Sequence, residues 1–276
     1  MTPGLDAVLP LLSCPLCATS LSRIGGVVGC GSGHRFDVAR QGYLTLLGPR
    51  SRTDTGDSAD MVTARQQFLD AGHFEPMTRA IREVAGDGPV LDLGAGTGHH
   101  LRAVLQGHAD RVGLAIDTSR YAARRAARAH PRAGSVVADA WSRLPVRDGC
   151  VGTLLSVFAP RDPAEIARIL RPAGRAVVVT PTPGHLAELR PVSGLLAVDP
   201  DKAGRLRDAF DGSLTPGPVT EVRQAMRLSR DDVDRLIRMG PSAYHVSDDR
   251  RRAAVAGLAE MTEVTLAITV SVFDRP

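Results

Sequence analysis

The chain has 276 residues, 43% of them hydrophobic and 23% charged, enough to bury a substantial core and to hold one large and one small unit. No run approaches the roughly 18 apolar residues that span a bilayer, and the N-terminus lacks the basic and apolar regions of a signal peptide, so a cytoplasmic protein without membrane contact is expected. The net charge of +4 permits contact with a polyanion without establishing it, and aromatic residues at 4% argue against extended stacking on single-stranded nucleic acid.

Cys14-Pro15-Leu16-Cys17 comes first, followed by Cys30 and His34, in a C-x2-C-x12-C-x3-H spacing. Zinc takes four thiolate or imidazole ligands in a tetrahedron, and a C-x2-C turn supplies two of them from one knuckle. Gly29, Gly31 and Gly33 suit the tight turns around the second knuckle. Disulfide-linked or simply buried cysteines are the alternative, and a cytoplasmic setting disfavours disulfides. The pattern predicts a closed, structural zinc site that supplies folding free energy to a small domain over residues 1–47. Cys150 stands apart, before an apolar run, and reads as a core residue at a strand start.

The segment up to Leu47 alternates weakly and reads as a strand closing the small domain. Residues 48–60 contain no large apolar side chain and predict a mobile linker, ordered on binding. A third region, 61–276, opens with helices over 61–70 and 76–84. From residue 89 strands and helices alternate: strands at 89–93, 112–116, 135–139, 151–158 and 175–180, with helices opening near His99, Tyr121 and Pro163. This is the order of a parallel doubly wound α/β sheet. Residues 219–228 and 264–273 read as a closing antiparallel pair, making seven strands. Ser229 with Asp232 reads as a capping box that opens another helix.

Within this region, Val90-Leu91-Asp92-Leu93-Gly94-Ala95-Gly96-Thr97-Gly98 is a buried strand breaking into a G-x-G-x-G turn. A dinucleotide fingerprint needs G-x-G-x-x-G, and His99 stands where its last glycine would be. The stretch resembles motif I of class I S-adenosylmethionine (SAM) methyltransferases, whose Rossmann-like sheet this fold class would share. Asp92, Asp117 and Asp139 then close three successive strands at the carboxyl edge, where open α/β sheets bind ligands. Asp117 is placed to accept hydrogen bonds from both ribose hydroxyls. Asp139-Ala140-Trp141 is placed against the adenine, with the Asp139 carboxylate or a nearby amide reading its amine. Each Asp alone could be a turn or cap residue, but three in order favour SAM. Pro172-Ala173-Gly174 resembles the L-[RK]-P-G-G turn before strand five of such enzymes, with Ala173 in place of the first glycine.

Nearly the whole chain resembles the RlmA-like 23S ribosomal RNA (guanine-N1-)-methyltransferases, a family that includes the actinomycete tylosin-resistance type. The resemblance rests on the Cys14/Cys17/Cys30/His34 set, Phe36-Asp37-Val38-Ala39-Arg40-Gln41-Gly42-Tyr43, Met61-Val62-x-Ala64-Arg65 and Leu69-Asp70-Ala71-Gly72-His73-Phe74-x-Pro76. It continues through Gly96-Thr97-Gly98-His99-His100, residues 124–131, Val157-Phe158-Ala159-Pro160-Arg161, residues 185–189 and residues 239–242. Phe74 stands where the family commonly has Tyr, and Thr45 where it has Asn. The resemblance implies methylation of guanine N1 in the loop of hairpin 35 (the 745/748 region, 748 favoured), with possible self-protection against tylosin-type macrolides. It also implies zinc on Cys14, Cys17, Cys30 and His34, and SAM contacts from Phe74, Gly98, His99 and His185.

From this follows a picture in which Arg35, Arg40, Arg50 and Arg52 grip phosphates. An extruded guanine enters the cleft, because N1 is hidden in a base pair. The base that takes the N1 proton is not identified; His185, Asp139 and the backbone of Val157–Ala159 are candidates by position. Oligomeric state is open, and a homodimer would present two zinc domains to one RNA. Two other readings remain: a small-molecule methyltransferase, which leaves the zinc module without a task, and a non-catalytic zinc-bearing RNA-binding protein.

Overall fold

In the computed structural model, residues 3–48, 51, 56–190, 201–240 and 247–276 are described. The main sheet is built from β4 (Leu44–Thr45), β5 (Val90–Leu93), β6 (Gly113–Asp117), β7 (Ala133–Val137), β8 (Val151–Val157), β9 (Leu170–Pro181), β10 (Thr215–Ser229) and β11 (Met261–Asp274). Its order is β10-β11-β9-β8-β5-β6-β7-β4, so the chain steps outward from β5 to β7 and then returns to β8 on the other side of β5. That reversal opens a crevice at the carboxyl ends of β5 and β8. All four residues of β5 are buried, because helices cover both faces of its parallel neighbours. One apolar core lies on each face of the sheet.

Helix α2 (Ala59–Asp70) starts two residues before the sequence pattern suggests, because Ser58 caps it by accepting a hydrogen bond from the Met61 amide. It is followed by α3 (Glu75–Val84), α4 (His99–Gln106), α5 (Arg120–Ala126) and α6 (Pro163–Ile169). The expected antiparallel pair forms β10 and β11, in register from Val219↔Ser271 to Ser229↔Met261. Ser229 caps the helix Arg230–Arg238 as its sequence suggests, accepting from the Asp232 amide at 3.2 Å and donating to its carboxylate at 2.7 Å. Two further helices are Lys202–Phe210 and Asp248–Ala256.

The sheet has eight strands where seven were expected. The extra one is Leu44–Thr45, which was expected to close the small domain. It pairs in parallel with β7 instead, Leu44 facing Val136 and Thr45 facing Val137. The alternation was real, since Leu44 and Leu46 are buried and Thr45 is exposed. Alternation identifies a strand but not its partner, and the free edge of β7 accepts it. The N-terminal helix α1 (Pro3–Val8) docks beside it. A Cβ on Gly4 would lie 2.2 Å from the Ala133 carbonyl oxygen, and one on Gly134 would lie 2.2 Å from a Val8 methyl. These two glycines allow helix and strand to touch backbone to backbone. At six residues α1 is too short to show a helical period in sequence.

Between α1 and β4 lies a small antiparallel sheet, β1 (Leu21–Ile24), β2 (Val27–Cys30) and β3 (Arg35–Phe36). It is joined to the large sheet by shared core: Leu5, Val8, Leu12 and Leu44 belong to the same buried cluster as Val136 and Val146. Among the described residues, no helix is long and apolar enough to cross a membrane.

Candidate zinc centre and cofactor cleft

Cys14, Cys17, Cys30 and His34 converge with their ligand atoms within 4.8 Å of one another. The Cys17 and Cys30 sulfurs are 3.6 Å apart, and His34 Nδ1 is 3.5 Å from the Cys14 sulfur and 3.3 Å from that of Cys30. A tetrahedron with zinc–sulfur bonds of about 2.3 Å has sulfur–sulfur edges of about 3.8 Å, so the set is already spaced for the ion. The Cys14 amide donates to the Thr19 carbonyl and the Cys30 amide to that of His34, which closes each knuckle. Hydrogen bonding from the Thr19 hydroxyl, 3.1 Å away, pulls the Cys17 thiol down to about 5, toward the thiolate that zinc requires. Cys150 lies apart, half-buried, its thiol donating to the Arg147 carbonyl.

The second centre is a cleft of about 610 Å³ at the carboxyl ends of β5, β6 and β8. Gly94, Gly96 and Gly98 all have left-handed φ, +70°, +53° and +75°, so the loop turns in a way side chains resist. A Cβ on Gly94 would sit 2.6 Å from that of Ala159, just beyond the neighbouring strand β8. Asp117 accepts from the Gly96 amide at 2.9 Å and from the Ser119 amide at 2.8 Å, which ties the end of β6 to the glycine loop. Asp92 is almost wholly buried. Burial, together with the neighbouring Asp117 carboxylate, pushes its carboxyl up to about 8. A buried carboxyl of this kind facing a cleft favours a cationic ligand group, and SAM carries both a sulfonium and an ammonium.

Eight of the ten expected cofactor residues line this cleft: Phe74, Asp92, Gly94, Gly96, His99, Asp117, Ala140 and His185. Gly98 and Asp139 lie beside it. Gly98 caps α4, and a Cβ there would meet Ala129 at 3.0 Å, so its bareness serves helix packing. The Asp139 carboxylate accepts from the Trp141 amide and the Ser142 hydroxyl, both at 2.9 Å, and so shapes the turn that presents Ala140 and Trp141 to the cleft. His185 accepts a hydrogen bond at Nδ1 from the Ala267 amide at 3.3 Å, and burial drops its imidazole to about 4.

Sequence reasoning missed the outer wall. Asp57, inside the expected linker, forms a 2.6 Å ion pair with Arg65, and Arg65 donates to the Met239 carbonyl at 2.6 Å. The Ser119 hydroxyl donates to the Asp57 carbonyl at 2.6 Å. Residues 56–60 are therefore packed against the cleft rather than strung free, which corrects that part of the linker reading. A signal was present: Met61, Arg65 and Leu69 share one face of α2, so a charge interrupts an apolar stripe. Outside α2 is a second cavity of about 390 Å³, lined by Arg102, Arg124, Arg125 and Arg128. Arg102 approaches Asp70 at 3.6 Å; the other three have no ion-pair partner among the described residues. Arg50 and Arg52, expected on phosphates, and Pro241 and Ser242 of the family resemblance lie outside the described residues.

The doubly wound sheet, the glycine loop and the acidic strand ends define a class I SAM-dependent methyltransferase, here extended by a zinc ribbon. Residues 12–51 match the N-terminal zinc-ribbon family of RlmA, and residues 91–178 match the methyltransferase domain family. A Streptomyces fradiae protein, a 23S rRNA (guanine(748)-N(1))-methyltransferase, is 46% identical across 96% of this chain and 97% of its own length. A Bacillus subtilis relative, provisionally named as a 23S rRNA (guanine-N(1)-)-methyltransferase, is 28% identical across 95% of both chains. In fold, a solved Bacillus halodurans structure covers 72% of this chain and 98% of its own at a TM-score of 0.52 and 13% identity. The chain belongs to the RlmA-type 23S rRNA guanine-N1 methyltransferases.

Proposed function

We propose that this enzyme methylates N1 of the guanine at position 748, in the loop of hairpin 35 of 23S rRNA. The observation that carries the reading is the near full-length match to the Streptomyces fradiae enzyme, which spans both the zinc ribbon and the cleft. SAM supplies an electrophilic methyl group. The residues of the cleft do the rest: Asp117 holds the ribose hydroxyls, Asp92 faces the cationic end of the cofactor, and Phe74, His99, Ala140 and His185 enclose it. Alignment of the methyl group with N1 then supplies much of the rate. N1 gains the methyl and releases its proton.

Residues 1–47 act as the RNA-recognition domain, with Arg35 and Arg40 on phosphates and 48–55 as its connection to the catalytic domain. The arginines of the second cavity extend that contact across the outer face of α2. A cytoplasmic homodimer presenting two zinc ribbons to one RNA, and protection against a tylosin-type macrolide, complete the reading. The test is methylation of protein-free 23S rRNA with SAM, followed by mapping of reverse-transcription stops. A methyl on N1 blocks pairing and halts the polymerase one nucleotide before it, so a SAM-dependent stop at hairpin 35 supports the reading. SAM binding with no methyl transferred to rRNA would return the choice to a metabolite enzyme.

A further inference from the structure

Two adjoining loops at the mouth of the cleft break local rules together. Phe158, which follows β8, has φ +54°, and Leu186, which follows His185, has φ +51°. A bulky side chain in the left-handed region is an outlier that persists only when its surroundings impose it, and such outliers gather at functional sites. Phe158 is also 43% exposed, whereas Phe74 in the same cleft is 3% exposed. A glycine or a polar residue would satisfy that turn better on both counts. Backbone and side chain are each unfavourable alone, and their coincidence points to a use for the ring in that position.

The ring is braced from behind. Its centroid lies 5.7 Å from that of His185 with the planes 29° apart. His185 lies 6.2 Å from Phe74, and Phe74 meets Phe68 edge-on at 5.0 Å. A series of rings thus runs from the buried Phe68 to the exposed Phe158. Because His185 accepts at Nδ1 from the Ala267 amide, the neutral imidazole carries its proton on Nε2. In that tautomer Nε2 has no lone pair to receive a proton. Among the described residues, Trp141 and Phe158 are the exposed aromatics of the cleft lining. Trp141 follows β7, where the sequence reading expects the adenine; Phe158 follows β8, which pairs directly with the glycine-loop strand β5.

We infer that Phe158 is the platform on which the extruded guanine stacks, and that His185 is a positioning residue that braces this ring and does not take the guanine proton. This rests on the rRNA reading above. An extruded base loses its stacking partners, and an aromatic face at the cleft mouth replaces one of them. The strained backbone holds that face open before the base arrives.

The test measures kcat and KM on protein-free 23S rRNA and, separately, the Kd for SAM. Replacing a base-stacking aromatic by alanine costs about 1–3 kcal/mol, so Phe158→Ala should lower kcat/KM for RNA roughly 5- to 150-fold with SAM affinity held within about twofold. Phe158→Trp should recover most of that activity. Phe158→Gly relieves the left-handed strain, so it should melt no lower than wild type while showing the same RNA defect. His185→Gln should leave the shape of the pH–rate profile between about pH 3.5 and 9 unchanged, a window that spans the value near 4 to which burial drops the imidazole. Wild-type kcat/KM in Phe158→Ala, or a parallel loss of SAM affinity, would overturn the platform. A missing alkaline or acid limb in His185→Gln would overturn the bracing role. If wild type transfers no methyl to rRNA, it is the function reading that fails, and this inference fails with it.

Discussion

The zinc ribbon and the cofactor cleft are built on opposite plans. The ribbon gathers four ligands from twenty-one residues of chain, Cys14 to His34, so its ligand set is complete within one short stretch. The cleft gathers its lining from Asp57 to Gly240, across strands, helix ends and loops. Short-range spacing defines the first, whereas sheet topology defines the second. A ribbon ligand therefore serves mainly stability and a cleft residue mainly ligand affinity, and substitutions should separate the two.

The largest effect is expected at the ribbon. Structural zinc contributes on the order of 10 kcal/mol to such modules, and this one shares its core with the main sheet. Cys30→Ser should abolish RNA methylation and lower the melting temperature more than any cleft substitution, as calorimetry alongside zinc analysis would show. An unchanged melting temperature would break the comparison. Next is Asp117→Ala, which removes the acceptor for two loop amides and, in the function proposed above, for the ribose. SAM affinity should fall about 100-fold, given roughly 1.5–3 kcal/mol for a charged hydrogen bond, with the ribbon and its zinc intact by titration.

Asp92→Asn sharpens the contrast, because it should trade affinity for stability. With its carboxyl raised from 3.8 to about 8, the folded state holds a proton that the unfolded state releases. Ligand-free wild type should lose stability as pH rises from about 4 to 8 and level off above that. The Asn variant should lack this slope and melt higher than wild type at pH 8 but not at pH 4, while binding SAM about tenfold more weakly. The smallest effect is expected at the second cavity. Arg124→Ala with Arg128→Ala should weaken RNA binding several-fold and lower its salt slope by about 0.9 for each phosphate that is no longer neutralised, without touching SAM affinity.

The sequence exposed the ribbon ligands and the glycine loop because both are encoded as fixed spacings. The strands from β5 to β9 were readable as apolar runs, although β7 ends at Val137 rather than at Asp139 and β9 begins at Leu170 rather than at Arg175. The partner of Leu44–Thr45 was not, because pairing across the β7 edge leaves no mark on either segment. The Asp57–Arg65 pair was hidden in a stretch whose polar composition mimics a linker. Gly98 and Asp139 were recognised by position, yet position alone does not say whether a residue faces a ligand or props up its neighbour. Aromatic stacking at the cleft mouth depends on a backbone angle that no residue type announces.

The docking of Leu44–Thr45 onto β7 also bears on how the chain is made. Strand β4 leaves the ribosome about 90 residues before Val136, its partner. At roughly 5–20 residues per second, the N-terminal segment spends on the order of ten seconds in the cell before the sheet edge that will receive it exists. During that interval its apolar side chains have only the zinc knot to organise them. The four zinc ligands, all within residues 14–34, are then available to bind metal before the sheet edge is made.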